Sequence, residues 1–199
     1  MNYYLKLYKP AGYLSQFVNH QNKRRNKRLL GELGDFPEDA FAVGRLDENS
    51  EGLLLITNDG VWSDQVNRTA KVSKEYYAQV EGIPTEEKLE LLRNGVELSH
   101  AKKVYTTQPS EVEFIKVTPN FPDPQKKIRD KRHGETSWLK ISISEGKFRQ
   151  VRKMTACIGH PCLRLIRTRI GNEHLGNLQP GESQLISKNL IFEKVDEQL

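Results

Sequence analysis

Apolar positions along this chain fall mostly into short runs closed by turn residues. Residues 2–8 alternate weakly and predict a first strand, stopped by Lys9-Pro10-Ala11-Gly12. Residues 19–40 are polar and basic, broken by Gly31 and Gly34, and read as a loop with a short helix. Two branched apolar runs follow, Phe41-Ala42-Val43 and Leu53 to Ile56, and read as buried strands. Asn58-Asp59-Gly60 is a turn in which Asp59 is placed to cap a short helix near 61–68. Ser73 to Glu81 predicts a long strand.

Helical signals come next. Pro84 and Thr85 mark a start, Glu86 and Glu87 suit the positive end of a helix, and Gly95 closes a helix over 86–94. Residues 96–117 predict two or three strands, with Val112, Phe114, Ile115 and Val117 as core candidates. Thr118 to Thr136 holds Pro119, Pro122 and Pro124 and reads as an exposed loop. From Ser137 to Ser144 the chain alternates, with Trp138, Lys140, Ser142 and Ser144 on one face and Leu139, Ile141 and Ile143 on the other. A helix over 149–158 ends at Gly159, and Pro161 forbids its continuation. A strand over 163–170, a Pro180-Gly181 turn, a strand over 184–187 and a frayed acidic tail complete the pattern. Strands outnumber helices and are often joined without room for a crossover helix. The expected class is α+β, with a mixed, mainly antiparallel sheet and flanking helices.

Composition narrows the picture. At 199 residues the chain is long enough to bury a core without disulfides or metal. No apolar run approaches the ~20 residues of a membrane span, and the N-terminus lacks a basic-then-apolar signal pattern. A cytoplasmic protein is expected. Cys157 and Cys162 flank His160, but three candidate ligands fall short of a closed four-ligand zinc site. They read as reduced packing cysteines, and no metal is expected.

The net charge of +5 is modest, but its distribution is not. Seventeen of the 31 bases fall in four clusters: 23–28, Lys126 to Arg132, Lys147 to Lys153 and Arg164 to Arg169. A single cluster is commonly a solvated face. Four of them suit a phosphate backbone, where each neutralised phosphate adds affinity through counterion release. The first reads as a mobile RNA-contacting loop, and Lys126 and Lys127 as phosphate contacts in another.

The most informative segment is Gly44-Arg45-Leu46-Asp47-Glu48-Asn49-Ser50-Glu51-Gly52. It sets a carboxylate in a glycine-bounded loop between two strands, where rigid elements can position it accurately. Asp47, Asn49, Glu51 and Gly52 also match the start of a calcium loop. The match fails at Leu55 and Asn58, which occupy the ninth and twelfth positions. A plain solvated turn is the other bland reading, since Asp, Asn, Ser and Gly are ordinary turn residues.

Two further segments add chemistry. In Lys74-Glu75-Tyr76-Tyr77 the two tyrosines of one strand point to opposite faces, so one can stack on a base while the other packs. In Arg149-Gln150-Val151-Arg152-Lys153-Met154 a helix presents Val151, Met154 and Ile158 on one side and Arg149, Arg152, Lys153 and Ala156 on the other.

Taken in order, Lys9-Pro10, Gly44-Arg45-Leu46-Asp47, Lys74-x-Tyr76 and Arg149-Gln150-Val151-Arg152 resemble the bacterial ribosomal-RNA pseudouridine synthases, the family that includes RsuA, RluB, RluE and RluF. The resemblance runs from about residue 3 to 187, and Ser137 to Lys140 and Thr155 to Arg167 are most similar to the RluE type, which acts on large-subunit rRNA. It implies two α+β subdomains, near 1–70 and 71–199, around an RNA-binding cleft in a single catalytic domain. No counterpart of the N-terminal S4-type domain that many members carry is expected. By this resemblance Asp47 is the catalytic carboxylate, Tyr76 stacks on the target uracil and Arg152 pairs with Asp47. Arg45 inserts into the RNA to hold the flipped nucleotide out, and Lys74, Arg149, Gln150, Lys153, Arg164 and Arg167 are candidate RNA contacts. The expected partner is 23S rRNA, free or in an assembling subunit, met by a monomer without cofactor. Two other readings stay open on the residues: a non-catalytic RNA-binding or ribosome-assembly protein, and a hydrolase pairing Asp47 with Glu48 or Glu51.

Overall fold

The computed structural model describes residues 1–18, 26–69, 72–100, 103–128, 134–189 and 191. In chain order the elements are β1 (Tyr4–Lys9), β2 (Phe41–Val43), β3 (Glu51–Thr57), α1 (Gly60–Asp64), β4 (Lys74–Glu81), α2 (Glu86–Asn94), β5 (Glu97–His100), β6 (Lys103–Thr106), β7 (Glu111–Ile115), β8 (Thr136–Ile143), α3 (Gln150–Cys157), β9 (Cys162–Ile170), β10 (Glu173–His174) and β11 (Ser183–Leu185). The class is α+β, as the strand-rich pattern predicts. The chain forms two compact units, residues 1–72 with 167–199, and residues 73–166. The sequence reading keeps 71–199 together, but the segment after Ile166 returns to the first unit, because β11 pairs with β1.

In the first unit the strands run β11-β1-β3-β9, with β2 also against β3 and β10 against β9. The pairs β1–β3, β1–β11, β2–β3 and β9–β10 are antiparallel. Strand β3 is buried along its whole length, as its unbroken apolar run requires. Leu7, Leu53, Leu54, Leu55, Ile56 and Trp62 make the core. Asp59 caps α1 through a bond from the Trp62 amide, as expected. The α-helix is shorter than the predicted 61–68, since Gln65–Thr69 widens into a π-helical turn.

The second unit orders its strands β9-β4-β8-β7, with β5 and β6 as a separate hairpin. Strands β4 and β8 pair antiparallel from Lys74↔Ile143 to Glu81↔Thr136. Its core gathers Ala78, Val80, Leu89, Leu92, Leu139, Ile141 and Met154. Three expectations are corrected here. Val117 is 79 % exposed and lies beyond β7, not in the core. Trp138 and Ser142 are buried like Leu139 and Ile141, so β8 is covered on both faces. Cys157 is exposed, and Cys162 is only half-buried. The acidic tail lies outside the described residues.

Candidate active site

In the first unit the loop between β2 and β3 is held by glycines, a serine and a lysine. Gly44 has φ 69°, and a Cβ there would meet the Asn67 side chain at 2.7 Å. Gly52 has φ 101°, and a Cβ there would lie 2.3 Å from the Arg167 carbonyl oxygen. Only glycine suits either place. Between them burial alternates: Arg45 is exposed, Leu46 buried, Asp47 and Glu48 half-buried, Asn49 exposed and Ser50 buried. Leu46 thus anchors the loop while Arg45 faces solvent and Asp47 remains accessible.

Backbone bonds fix the curvature. The Ser50 amide donates to the Asp47 carbonyl at 3.0 Å, and the Gly12 amide to the Glu48 carbonyl at 2.7 Å. Ser15 brackets Leu46: its hydroxyl donates to the Leu46 carbonyl at 2.8 Å and accepts from the Leu46 amide at 2.9 Å.

Beneath the loop lies Lys9, fully buried at the end of β1. Its Nζ donates to the carbonyls of Pro10 at 2.9 Å, Ser50 at 2.9 Å and Glu48 at 3.4 Å. Burial pushes the ammonium down to about 7, opposed by the nearby charges of Glu51, Asp47 and Glu48 and reinforced by Arg167. Arg167 is itself buried, and its Nε donates to the Leu53 carbonyl at 2.7 Å. Lys27 pairs with Glu48 at 2.6 Å, and Arg28 lies over the Tyr13 ring at 4.3 Å. The remaining bases of the 23–28 cluster, Lys23, Arg24 and Arg25, fall outside the described residues.

In the second unit β4 carries Lys74 and Tyr76. Tyr76 is buried, level with Ile141 of β8. Tyr77 takes the other face, as the period of a strand demands, and meets the Phe121 ring at 5.2 Å. Phe121 in turn contacts Trp138 at 5.8 Å. These rings pin the start of the 118–128 segment, whose Lys126 and Lys127 are exposed.

Helix α3 splits as its sequence predicts: Val151 and Met154 are buried, Ile158 beyond it is buried, and Arg149 and Ala156 are exposed. Arg152 and Lys153 are half-buried. Arg152 donates to the Cys162 carbonyl at 3.1 Å, and Lys153 to the Ser99 carbonyl at 3.0 Å.

Three candidate RNA contacts are placed differently from expectation. Gln150 is 3 % exposed, with its amide spent on Glu145 at 2.6 Å and on the Lys147 amide at 3.0 Å. Arg164 and Arg167 are buried too, and Arg164 donates to the Pro122 carbonyl at 2.7 Å. Their apolar neighbours on β9 carry them inward, and backbone carbonyls take their charge-assisted bonds. His160, set between the cysteines, bonds the Glu81 carbonyl at 2.6 Å and Lys88 at 3.0 Å. Among the described residues no group of three His, Cys, Asp or Glu is arranged to hold a metal ion.

Lys9 and Ser15 are the loop-holding residues that sequence reasoning did not find. Lys9 was visible only as a motif letter beside Pro10, and nothing in a weakly alternating strand marks a lysine as buried.

The RNA pseudouridylate synthase family model matches residues 3–157. Ribosomal large subunit pseudouridine synthase E of Vibrio vulnificus is 42 % identical over 182 residues, covering 90 % of this chain and 73 % of the relative. The protein of the same name from Xanthomonas axonopodis pv. citri is 41 % identical over 175 residues, covering 87 % and 88 %. A crystal structure of pseudouridylate synthase superimposes with a TM-score of 0.75 at 24 % identity, covering 96 % of this chain and 73 % of that one.

Proposed function

The chain belongs to the RNA pseudouridylate synthase family, and from that premise we propose that it isomerises one uridine of 23S ribosomal RNA, with Asp47 as the catalytic carboxylate. The observation that carries the assignment is the loop itself. Asp47 is half-exposed on a turn whose backbone is tied to Lys9, Gly12 and Ser15. A group so held keeps its geometry when substrate arrives.

The reaction breaks the bond from the uracil nitrogen to the ribose, turns the base and rejoins it through a ring carbon. No electrons or groups are exchanged with another molecule, so these residues need no cofactor. Attack on the sugar and removal of a ribose proton are the two routes open to a carboxylate, and both require it ionised. Tyr76 carries over as the tyrosine against which the flipped uracil stacks, and Arg152 as the cation of the catalytic carboxylate. Exposed Arg45 fits the side chain that fills the gap left by the flipped base. Removing a base from its stack costs a few kcal/mol, which stacking and phosphate contacts must offset. Lys74, Arg149, Lys153, Lys126 and Lys127 serve those contacts. Gln150, Arg164 and Arg167 instead support the backbone around them. The bacterial relatives named for the large ribosomal subunit support a cytoplasmic site of action. The enzyme acts here as a monomer, and free rRNA or an assembling large subunit is its substrate. Among the described residues no helix is long and apolar enough to cross a membrane.

The test incubates the protein and its Asp47→Asn variant with unmodified 23S rRNA and maps pseudouridine by carbodiimide labelling and primer extension. One new site with the parent and none with the variant is expected. No site on free rRNA or on large-subunit particles would sink the reading in favour of a non-catalytic RNA-binding protein.

A further inference from the structure

The turn leading into α3 is built around an exposed aromatic ring. Phe148 is 59 % exposed, between the exposed cations Lys147 and Arg149. Single exposed apolar side chains are ordinary. The surroundings of this one are not.

The turn is braced from inside. Glu145 accepts from the Gln108 amide at 2.9 Å and from the Gln150 side chain at 2.6 Å, and pairs with Lys147 at 3.2 Å. The Gln150 side-chain oxygen accepts from the Lys147 amide at 3.0 Å. The Lys147 ammonium also lies 3.6 Å from the centre of the Tyr105 ring on β6. Arg149, with φ 52°, is the only non-glycine residue at positive φ among those described. A strained residue of this kind persists where its surroundings over-determine it. The bracing holds the backbone that carries Phe148, so little loop ordering is left to be lost on binding.

Charge selects the occupant. Lys153 lies 5.6 Å over the Phe148 ring, while its ammonium is held by the Ser99 carbonyl at the β5 strand. Arg149 and Lys147 flank the ring in sequence, and Arg152 follows one turn behind. The acid of the turn, Glu145, bonds the Gln108 amide and the Gln150 side chain and pairs with Lys147. An aromatic ring among cations matches a nucleic acid, whose bases offer π-faces and whose backbone offers phosphates. An apolar protein partner would not call for such a surplus of positive charge.

We propose that Phe148 is a stacking platform for an unpaired base of the RNA substrate, distinct from the uridine that reacts, with Arg149 and Lys153 holding the phosphates beside it. The proposal deepens the RNA-modifying reading above and rests on it. It adds a second aromatic contact to the one assigned to Tyr76.

Both native tryptophans, Trp62 and Trp138, are buried, so Phe148→Trp introduces an exposed reporter at the tip. The Phe148→Trp protein is titrated with unmodified 23S rRNA while binding is followed separately by filter retention. Tryptophan quenching that tracks binding is expected. Phe148→Ala should weaken retention about tenfold, the scale of one base–aromatic stack, without altering its salt slope. Binding without quenching, or no binding, overturns the platform. Pseudouridine mapped on the same RNA reports on the reaction independently. Quenching without product leaves the platform standing and counts against the synthase reading, whereas product without quenching does the reverse.

Discussion

The buried ammonium of Lys9 donates to the Ser50 carbonyl at 2.9 Å and so ties the end of β1 to the loop that carries Asp47. The same ammonium reaches the Pro10 and Glu48 carbonyls. Lys9→Met keeps much of the apolar stem and removes all three bonds. Buried carbonyls then lose their donor, at about 1–3 kcal/mol for each one left unsatisfied. The loop relaxes to recover partners, and Asp47 moves with it. A displacement near 1 Å costs on the order of a hundredfold in rate. Steady-state kinetics on rRNA should therefore show kcat falling about that far with KM nearly unchanged. An equal rise in KM would mean that Lys9 serves RNA binding instead.

Lys9 also sets a pH dependence. Burial lowers its folded-state value to about 7 from the ordinary 10.5. Between those values the unfolded chain keeps a proton that the folded chain has released. Stability therefore rises with pH across that window. The contribution approaches about 1.4 kcal/mol per pH unit, the equivalent of one proton. Comparing denaturation of the parent and Lys9→Met from pH 6.5 to 9.5 isolates it. The parent should gain on the variant as pH rises, and a constant difference would show that the lysine stays charged.

Gly52 lies against the backbone of Arg167, where an added Cβ would sit 2.3 Å from the carbonyl oxygen and 2.8 Å from the nitrogen. Backbone atoms in a sheet cannot swing aside as a side-chain tip can. Gly52→Ala adds this clash to a φ of 101°. A loss of about 2–3 kcal/mol is expected, or roughly 5–10 °C in Tm for a chain of this size. An unchanged melting curve would mean that β3 and β9 separate easily at this point.

What the sequence made legible follows from the range of each interaction. The strand around Tyr76, the helix closed by Gly95 and the Asp59 cap depend on neighbours a few residues away, and each stands where local pattern puts it. The Asp47 loop was found because its glycines and turn residues are adjacent. The burial of Arg164 and Arg167, proposed from sequence as RNA contacts, is not legible there, because the carbonyls they bond, Pro122 and Leu53, are 42 and 114 residues distant. Gln150 reads as an RNA contact in sequence, and only the fold shows its amide bonded back to Glu145. Lys9 was missed as a buried group for the same reason, since its carbonyl partners at Glu48 and Ser50 are some forty residues away. Charge type is written in the sequence, whereas the partner that buries a charge is written in the fold.

Tyr76 separates stacking from hydrogen bonding. Tyr76→Phe keeps the ring and its place opposite Ile141, so most activity should survive. Tyr76→Ala removes both a base-stacking face and buried aromatic volume. Activity should fall about tenfold or more from lost stacking alone. A thermal melt on the same samples measures how much of that loss is cavity. Equal rates for all three proteins would remove the tyrosine from the site.

The 118–128 segment offers a test of electrostatics that leaves the reaction chemistry alone. Its start is pinned through Phe121 to Tyr77 and Trp138, and through Pro122 to Arg164. Lys126 and Lys127 follow at exposed positions. Fixed near Phe121 and exposed at Lys126 and Lys127, the segment is suited to follow a phosphate backbone. Each phosphate it neutralises releases counterions, which adds about 0.7–0.9 to the slope of log affinity against log salt. Lys126→Glu with Lys127→Glu should therefore weaken retention of 23S rRNA at low salt and flatten that slope by between one and two. The loss should be similar across RNA sequences, because phosphate contacts position the RNA without reading its bases. Neither lysine packs in a core, so the melting temperature should hold. An unaltered salt slope would mean that this segment lies away from the RNA and that the affinity comes from the cations around Phe148 and the Asp47 loop.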